Sequence, residues 1–268
     1  MTLRHELHPE HIYRVLEQTL IPPTTVRELD PDVIESAVTR LNSTTGSPSE
    51  SYLVNSEFTS ADLKRLPSPE EAKTLRNYFY STAVEGYEKS LGTRWARSWE
   101  PDELVAQLLS PAWNNPVVAQ GLYGVDLLAL VDKQLWRQIP SKPGALFERN
   151  VGSEFVREVA RIMPEPAPDF TAGSLLLLVG SHVRMQFTHG IQAARGMMQS
   201  AGMVIGALTN QAIALNMQPV IISHFNNSSM NRLVDADGVD RAVVAVFAAK
   251  PLAQLHQEAS SCEGTDHD

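Results

Sequence analysis

Residues 195–215 read Arg-Gly-Met-Met-Gln-Ser-Ala-Gly-Met-Val-Ile-Gly-Ala-Leu-Thr-Asn-Gln-Ala-Ile-Ala-Leu, and this stretch decides the fold. It is nearly apolar all round and rich in Met, Ala and Gly, which predicts a long helix buried on most sides. Apolar runs of strand length lie before and after it, at 174–180, 220–225 and 242–248. Continuous apolar runs are typical of strands covered on both faces. We therefore expect an α+β core from residue 173 onward.

The residues before this core carry helix-start signals. Ser68-Pro69-Glu70-Glu71 offers an N-cap serine, a proline at the first helical position and acidic residues in the first turn, which predicts a helix to about Lys89. We also expect one or two helices over 115–136 and a short helix over 153–163. The predicted organisation is a helical N-terminal extension over 1–89, a main domain over 90–256 and a disordered tail over 257–268.

Composition excludes several classes of partner and site. The net charge of -9 makes nucleic acid and anionic membranes unlikely partners, because phosphate groups are repelled. The single cysteine, Cys262, permits neither an internal disulfide nor a cysteine-based metal site. The histidines of His5-Glu6-Leu7-His8-Pro9-Glu10-His11 lack metal-ligand spacing, and Pro9 breaks the helix that would align them. We therefore expect no metal. Because residues 1–10 lack the apolar stretch of a signal peptide, we expect a cytoplasmic location.

Three segments carry candidate chemistry, and the first is Arg94-Trp95-Ala96-Arg97-Ser98-Trp99. Two guanidinium groups at this spacing suit a phosphate, which they can bind through paired hydrogen bonds. The alternative is that Arg94 and Arg97 are surface cations stacked on the neighbouring indole rings.

The second segment is Arg137-Gln138-Ile139-Pro140-Ser141-Lys142-Pro143-Gly144-Ala145-Leu146-Phe147. The third segment spans residues 195–227 and ends in Ile221-Ile222-Ser223-His224-Phe225-Asn226-Asn227. By themselves, Ser141 and Gly144 can belong to an ordinary turn rich in Pro and Gly. His224 lies at the end of a predicted apolar strand, and this position is more typical of a histidine in the core or at its rim than of a metal or cofactor ligand.

In this order the three segments resemble the nitroreductase superfamily, and most closely its branch of SagB-type azoline dehydrogenases, over roughly residues 90–250. The resemblance implies a nitroreductase-like central mixed or antiparallel sheet flanked by helices, with FMN as cofactor. It also implies the residues that contact the FMN, which are Arg94, Arg97 and Lys250 at the phosphate and Ser141, Gly144 and Ser223 along the ring.

The same resemblance identifies a candidate catalytic base. The family's Lys-Tyr pair lies just before the arginine that Arg195 matches, and Thr188 and His189 occupy those positions here. A histidine can take the role of base because its pKa lies near neutrality. The alternative is that His189, in a predicted loop, is a surface residue.

The long helix also predicts a homodimer. Gly196, Gly202, Gly206 and Ala207 would let a partner helix approach closely, and the methionines of this helix favour core or dimer packing over a promiscuous binding surface. In the family that this chain resembles, the equivalent helix lies at the dimer interface, with flavin beside it.

The sequence therefore predicts an FMN-dependent oxidoreductase that dehydrogenates a peptide-derived natural-product intermediate, as in the oxidation of azoline to azole. Two alternatives stay open: an NAD(P)H-dependent nitro- or flavin reductase of the same fold, and a flavin-free binding or scaffold partner.

Overall fold

The capping signal at Ser68 starts a helix where the sequence places it. In the computed structural model, which describes residues 60–152, 155–162 and 175–251, α2 (Pro69–Ser90) follows a short α1 (Ser60–Leu63). The Ser68 hydroxyl accepts a hydrogen bond from the Glu71 N–H at 3.2 Å, and the Glu71 carboxylate accepts one from the Ser68 N–H at 2.8 Å. This reciprocal capping gives hydrogen-bond acceptors to two backbone N–H groups that have none within the helix.

Within the described residues, a seven-stranded sheet forms the centre of the fold, and every pair of neighbouring strands in it is antiparallel. The strand order is β1-β4-β3-β2-β5-β7-β6. The strands are β1 (Ala96–Ser98), β2 (Val125–Val131), β3 (Gln134–Gln138), β4 (Gly144–Asn150), β5 (Leu175–Ser181), β6 (Met217–Ile222) and β7 (Arg241–Pro251). The expected α+β fold, an antiparallel sheet flanked by helices, is confirmed.

Helices cover both faces of the central strands. They are α3 (Leu104–Leu109), α4 (Pro111–Asn114), α5 (Pro116–Gly121), α6 (Phe155–Ile162), α7 (His182–His189), α8 (Ala193–Ala214) and α9 (Asn227–Leu233). In β5, Leu176 and Leu178 pack in the cluster that includes α8, whereas Leu175 and Leu177 pack with α6 and α9. Every residue of β2 and β5 is buried, which explains why both strands are continuous apolar runs.

The expectation of helices throughout 115–136 is wrong in its second half. Helix α5 ends at Gly121, and the apolar residues that follow form β2 and the start of β3. Asp132 and Lys133 join these strands with positive φ angles of 51° and 61°. Two consecutive residues in this conformation make the tight hairpin that antiparallel strands favour, and it is unusual without a glycine.

The long helix predicted over 195–215 is confirmed as α8, but one of its faces is open in the single chain. Met198 and Ile213 are 55% and 59% exposed, and a Cβ added at Gly202 would have no atom within 4 Å apart from its chain neighbours and the backbone of its own helix. The predicted homodimer would bury this face, and it stays a prediction.

The described residues belong to one compact unit, which begins at Glu57. Tyr87, near the end of α2, lies on Gly144 of β4, and its hydroxyl is 2.9 Å from the Ser98 hydroxyl of β1. Helix α2 therefore packs on the sheet. The rest of the predicted N-terminal extension, residues 1–59, and the predicted tail over 257–268 lie outside the described residues. No described helix combines the length and the hydropathy that a membrane span requires.

Gly144→Ala should destabilise the protein, because the new Cβ would stand 2.3 Å from atoms of the Tyr87 ring. We expect a loss of about 1–3 kcal/mol in the free energy of unfolding, measured by urea denaturation. Gly86→Ala is the matched control: it lies on α2 with open space around it, and should stabilise the helix by about 1 kcal/mol. Equal stability of the two variants would contradict the packing of α2 on β4.

Candidate functional site

A crevice of about 480 Å³ lies between α2, the strands β2 to β4 and α7. Its size is typical of small-molecule sites in proteins. The residues that line it are Leu75, Tyr78, Phe79, Thr82, Ala83, Leu122, Tyr123, Val125, Asp126, Arg137, Gln138, Ile139, Pro140, Leu146, Arg184 and Phe187. Most of these side chains are apolar or aromatic, so the crevice suits a ligand with a large apolar body.

The second sequence segment forms one wall of this crevice. Arg137, Gln138, Ile139, Pro140 and Leu146 all line it. They lie at the end of β3, in the following turn and on β4, and the antiparallel pairing of these strands brings them together. The structure thus places five residues of this segment against one cavity.

A buried carboxylate, Asp126 of β2, lies on the floor of the crevice, with its side chain 4% exposed. Its two oxygens face two different arginines: Oδ1 is 2.8 Å from Arg184 Nη2, and Oδ2 is 3.5 Å from Arg241 Nη2. Arg184 Nε also donates to the Tyr123 carbonyl at 2.8 Å, and its guanidinium lies 4.7 Å from the centre of the Phe79 ring. Arg184 is therefore held from several directions.

The buried amide of Gln138 holds the turn that follows β3. Its Nε2 donates to the carbonyls of Ile139 and Lys142, both at 2.7 Å, and its Oε1 accepts from Trp99 Nε1 at 2.7 Å. Ser141, within this turn, has a φ of 64°, a conformation that few non-glycine residues adopt. The Gln138 amide helps to hold this uncommon backbone in place and joins the first sequence segment to the second.

Gln138→Leu should destabilise the protein by about 3 kcal/mol, because an indole N–H and two carbonyls lose their shared partner in a buried place. Chemical denaturation followed by tryptophan fluorescence measures this loss. Gln134→Leu is the control on the same strand: its amide donates to Asn150 at 3.1 Å in an exposed position, and we expect a loss below about 1 kcal/mol. Similar losses in the two variants would contradict a special role of the Gln138 amide.

His189 is the last residue of α7, so the prediction that it lies in a loop is wrong. Its Nδ1 is 2.7 Å from the Thr188 hydroxyl, and its ring packs on Gly196 of α8. Burial, assisted by the positive charge of Arg76, lowers the pKa of His189 from its ordinary value of 6.5. A neutral imidazole is the form that can accept a proton.

His189 does not line the crevice, but Tyr123 connects it to the crevice wall. The Tyr123 hydroxyl donates to the Arg184 carbonyl at 3.0 Å and also interacts with the Thr188 hydroxyl. Burial raises the pKa of Tyr123, so this phenol stays protonated at neutral pH.

The two arginines of the first segment differ in their surroundings. Arg97 forms ion pairs with Glu103 and, at 3.2 Å, with Asp132. Arg94 is exposed, with its guanidinium 4.4 Å from the centre of the Trp95 indole, as in the alternative interpretation of this segment. Neither arginine lines the crevice. A phosphate at Arg97 would therefore have to compete with two carboxylates.

The structure brings the first two segments together but separates them from the third. Arg97 pairs with Ala145, and Ser98 pairs with Gly144, across β1 and β4. Ser223 follows β6 at the opposite edge of the sheet. Lys250 lies on β7, the strand that pairs with β6. Five strand spacings separate β4 from β6, which corresponds to about 24 Å. The six predicted cofactor residues therefore cannot meet in one site of a single chain.

The sequence analysis missed Asp126, Arg184 and the α2 wall of the crevice. Asp126 did carry a signal, because a lone acidic residue inside an apolar strand needs a buried partner. No such signal points to Arg184, since the pairing depends on how α7 returns over β2. Among the described residues, no group of three or more His, Cys, Asp or Glu side chains is placed to hold a metal ion. The N-terminal histidines lie outside the described residues.

No protein-family model matches the chain, and no curated protein gives a significant match. Several solved structures are similar to it. One is a candidate nitroreductase from Anabaena variabilis, with 16% identity and a TM-score of 0.45 over 52% of this chain. This chain spans only 29% of that protein's length.

Two further structures are similar at a comparable level. A nitroreductase family protein from Clostridium difficile has 13% identity and a TM-score of 0.38, over 58% of this chain and 74% of that one. The E. coli microcin synthetase McbBCD complex with truncated pro-MccB17 bound has 10% identity and a TM-score of 0.45, over 73% of this chain and 98% of that chain. Likeness at this level carries no conclusion about activity.

Proposed function

We propose that this chain is an FMN-dependent oxidoreductase of the nitroreductase type. The observation that carries the proposal is the crevice, because one of its walls is the segment whose sequence resembles the flavin-lining segment of that family. Ile139, Pro140 and Leu146 from this wall, with Phe79 from α2, offer the apolar surfaces that a planar isoalloxazine ring requires. Arginines at the floor offer the positive charge that a phosphate requires. The residues present therefore fit the cofactor.

None of the six cofactor residues inferred from the resemblance lines the crevice, so they enter this proposal as a second candidate place for the FMN, in a dimer. Arg94, Arg97, Ser141 and Gly144 lie at one edge of the sheet, whereas Ser223 and Lys250 lie at the other. In a homodimer that brings opposite edges together, one copy would supply the first four residues and its partner the last two.

A bound flavin would accept a hydride from a C–H bond of a peptide-derived substrate as a C–N or C–C single bond becomes a double bond, as in azoline oxidation, and oxygen would reoxidise the flavin. The chain's own part is to hold the ring between α2 and the sheet and to accept the proton that leaves the substrate. His189 is the proposed base, because its lowered pKa keeps it neutral. Since His189 does not line the crevice, the proton would reach it through the hydroxyls of Tyr123 and Thr188. We place this activity in the cytoplasm and in natural-product biosynthesis.

The purified protein should bind FMN, visible as a flavin absorption band. Ala83→Trp should weaken this binding at least tenfold, because an indole on α2 would fill the crevice that Ala83 lines. Ser81→Trp is the control on the same helix: Ser81 is exposed and does not line the crevice, so FMN should bind as in the wild type. Fluorescence quenching of added FMN measures both affinities. A colourless protein that takes up no FMN would overturn the proposal and leave the role of a flavin-free binding partner.

His189→Gln should lower turnover by about 10²–10⁴-fold, the usual contribution of a general base, while FMN stays bound. Because burial lowers the pKa of His189, wild-type activity should persist as the pH falls to 6.5 and decline only below that value. Steady-state kinetics across pH, with the oxygen consumed as readout, measure both effects. Unchanged turnover in the variant would exclude His189 as the base.

A further inference from the structure

We infer that the floor of the crevice is an anion subsite, where Arg184, which shares its neutralising carboxylate with Arg241, binds the negatively charged end of an aromatic ligand. Nothing in the sequence motifs points to these two arginines. Under the proposed function, on which this assignment of the ligand rests, the anionic group is the phosphate of FMN. A carboxylate on a substrate has the same chemistry, and the experiments below distinguish the two sources.

The charges around the crevice do not balance. Arg137 is neutralised by Glu148, whose Oε1 lies 2.8 Å from Arg137 Nε. Arg184 and Arg241, in contrast, share the single carboxylate of Asp126. One positive charge is therefore left over beside an apolar cavity, in a chain whose net charge is -9. A local positive charge in a chain of negative net charge favours the binding of an anion beside the cavity.

The surroundings make that excess charge effective. Asp126 and Arg184 have side chains only 4% and 19% exposed, so water screens their interactions weakly. Arg76, on the neighbouring helix α2, adds further positive charge: it acts on His189, and it opposes the effect of burial, which raises the pKa of Tyr80 to about 12. An anion that enters the crevice would meet Arg184 of α7, with the charges of Arg76 and Arg241 behind the lining residues.

Arg184 is also held in place before any ligand arrives. Its Nε donates to the Tyr123 carbonyl at 2.8 Å, and the Phe79 ring lies beneath its guanidinium. A guanidinium that is fixed in this way loses little freedom when it binds a phosphate or a carboxylate. The Phe79 ring that supports Arg184 also lines the crevice, so apolar and anionic recognition are adjacent.

The decisive measurement is the ratio of the affinities for FMN and for riboflavin, because these ligands share the ring and differ only in the phosphate. We expect the wild type to prefer FMN, and Arg241→Gln to lower the ratio about tenfold, because Asp126 would then neutralise Arg184 by itself. Asp126→Asn should raise the ratio, because it removes the carboxylate that competes with the ligand. A general loss of stability cannot produce opposite effects in these two variants.

Two further variants complete this experiment. Arg149→Gln is the control, because Arg149 pairs with Asp235 at 2.7 Å and does not line the crevice; the ratio should not change. Arg94→Gln tests the arginine that the resemblance assigns to the phosphate. If Arg94→Gln lowers the ratio while Arg241→Gln and Asp126→Asn leave it unchanged, the phosphate lies elsewhere and the inference is overturned.

A second pair of probes tests the subsite without flavin, so that its failure can be separated from failure of the proposed function. Anilinonaphthalene sulfonate is an aromatic anion, and N-phenyl-1-naphthylamine is its uncharged counterpart. If the wild type binds no FMN, the proposed function fails. The subsite then stands only if the sulfonate binds more tightly than the uncharged probe and Arg241→Gln removes that preference. Equal binding of the two probes to the wild type would overturn it.

If FMN and riboflavin bind equally while the sulfonate is preferred, the source of the anion is a substrate carboxylate and not the flavin phosphate. The subsite is then retained with a different ligand.

Discussion

The interaction on which the rest of this structure depends is the buried ion pair between Asp126 and Arg184. It joins β2, in the middle of the sheet, to α7, and the second oxygen of Asp126 extends the contact to Arg241 at the start of β7. Breaking such a pair typically costs 3–5 kcal/mol, because one charge is left buried without a partner. The pair therefore fixes α7 over the end of the sheet, and α7 forms one side of the crevice.

The sequence was sufficient for the elements whose pattern is local. The capping signal at Ser68, the small-residue helix over 195–215 and the apolar runs over 174–180 and 242–248 correspond to observed helices and strands. The buried strand predicted over 220–225 is only partly correct, because β6 ends at Ile222 and is a partly exposed edge strand. Residues 122–136 were misassigned because the hairpin between β2 and β3 turns on Asp132 and Lys133, without the glycine that usually marks such a turn. The conformation of these two residues is favoured by the pairing of the strands, which no local pattern contains.

The candidate site was predictable to a smaller extent. The segment from Arg137 to Leu146 was found from sequence, and the structure places much of it along the crevice. Arg97 was also singled out, but its ion pairs with Glu103 and Asp132 depend on folding and are not visible in a motif. Arg184 was missed for the same reason: its partner Asp126 lies far away in the chain. The sequence shows an arginine in the same way whether a carboxylate neutralises it or it can bind a ligand, and only the fold distinguishes these two cases.

The width of the sheet sets the final constraint. Motifs read along a chain give an order, but they do not say whether their residues meet within one copy or between two. Here Gly144 and Ser223 are separated by about 24 Å of sheet, so a site that uses both requires a second chain. The crevice needs no such partner, because α2, the second segment and Arg184 already surround it. On its floor, Arg184 shares the carboxylate of Asp126 with Arg241, whereas Arg97 of the first segment faces the two carboxylates of Glu103 and Asp132. The structure thus moves the strongest candidate for anion recognition from the edge of the sheet to its interior face.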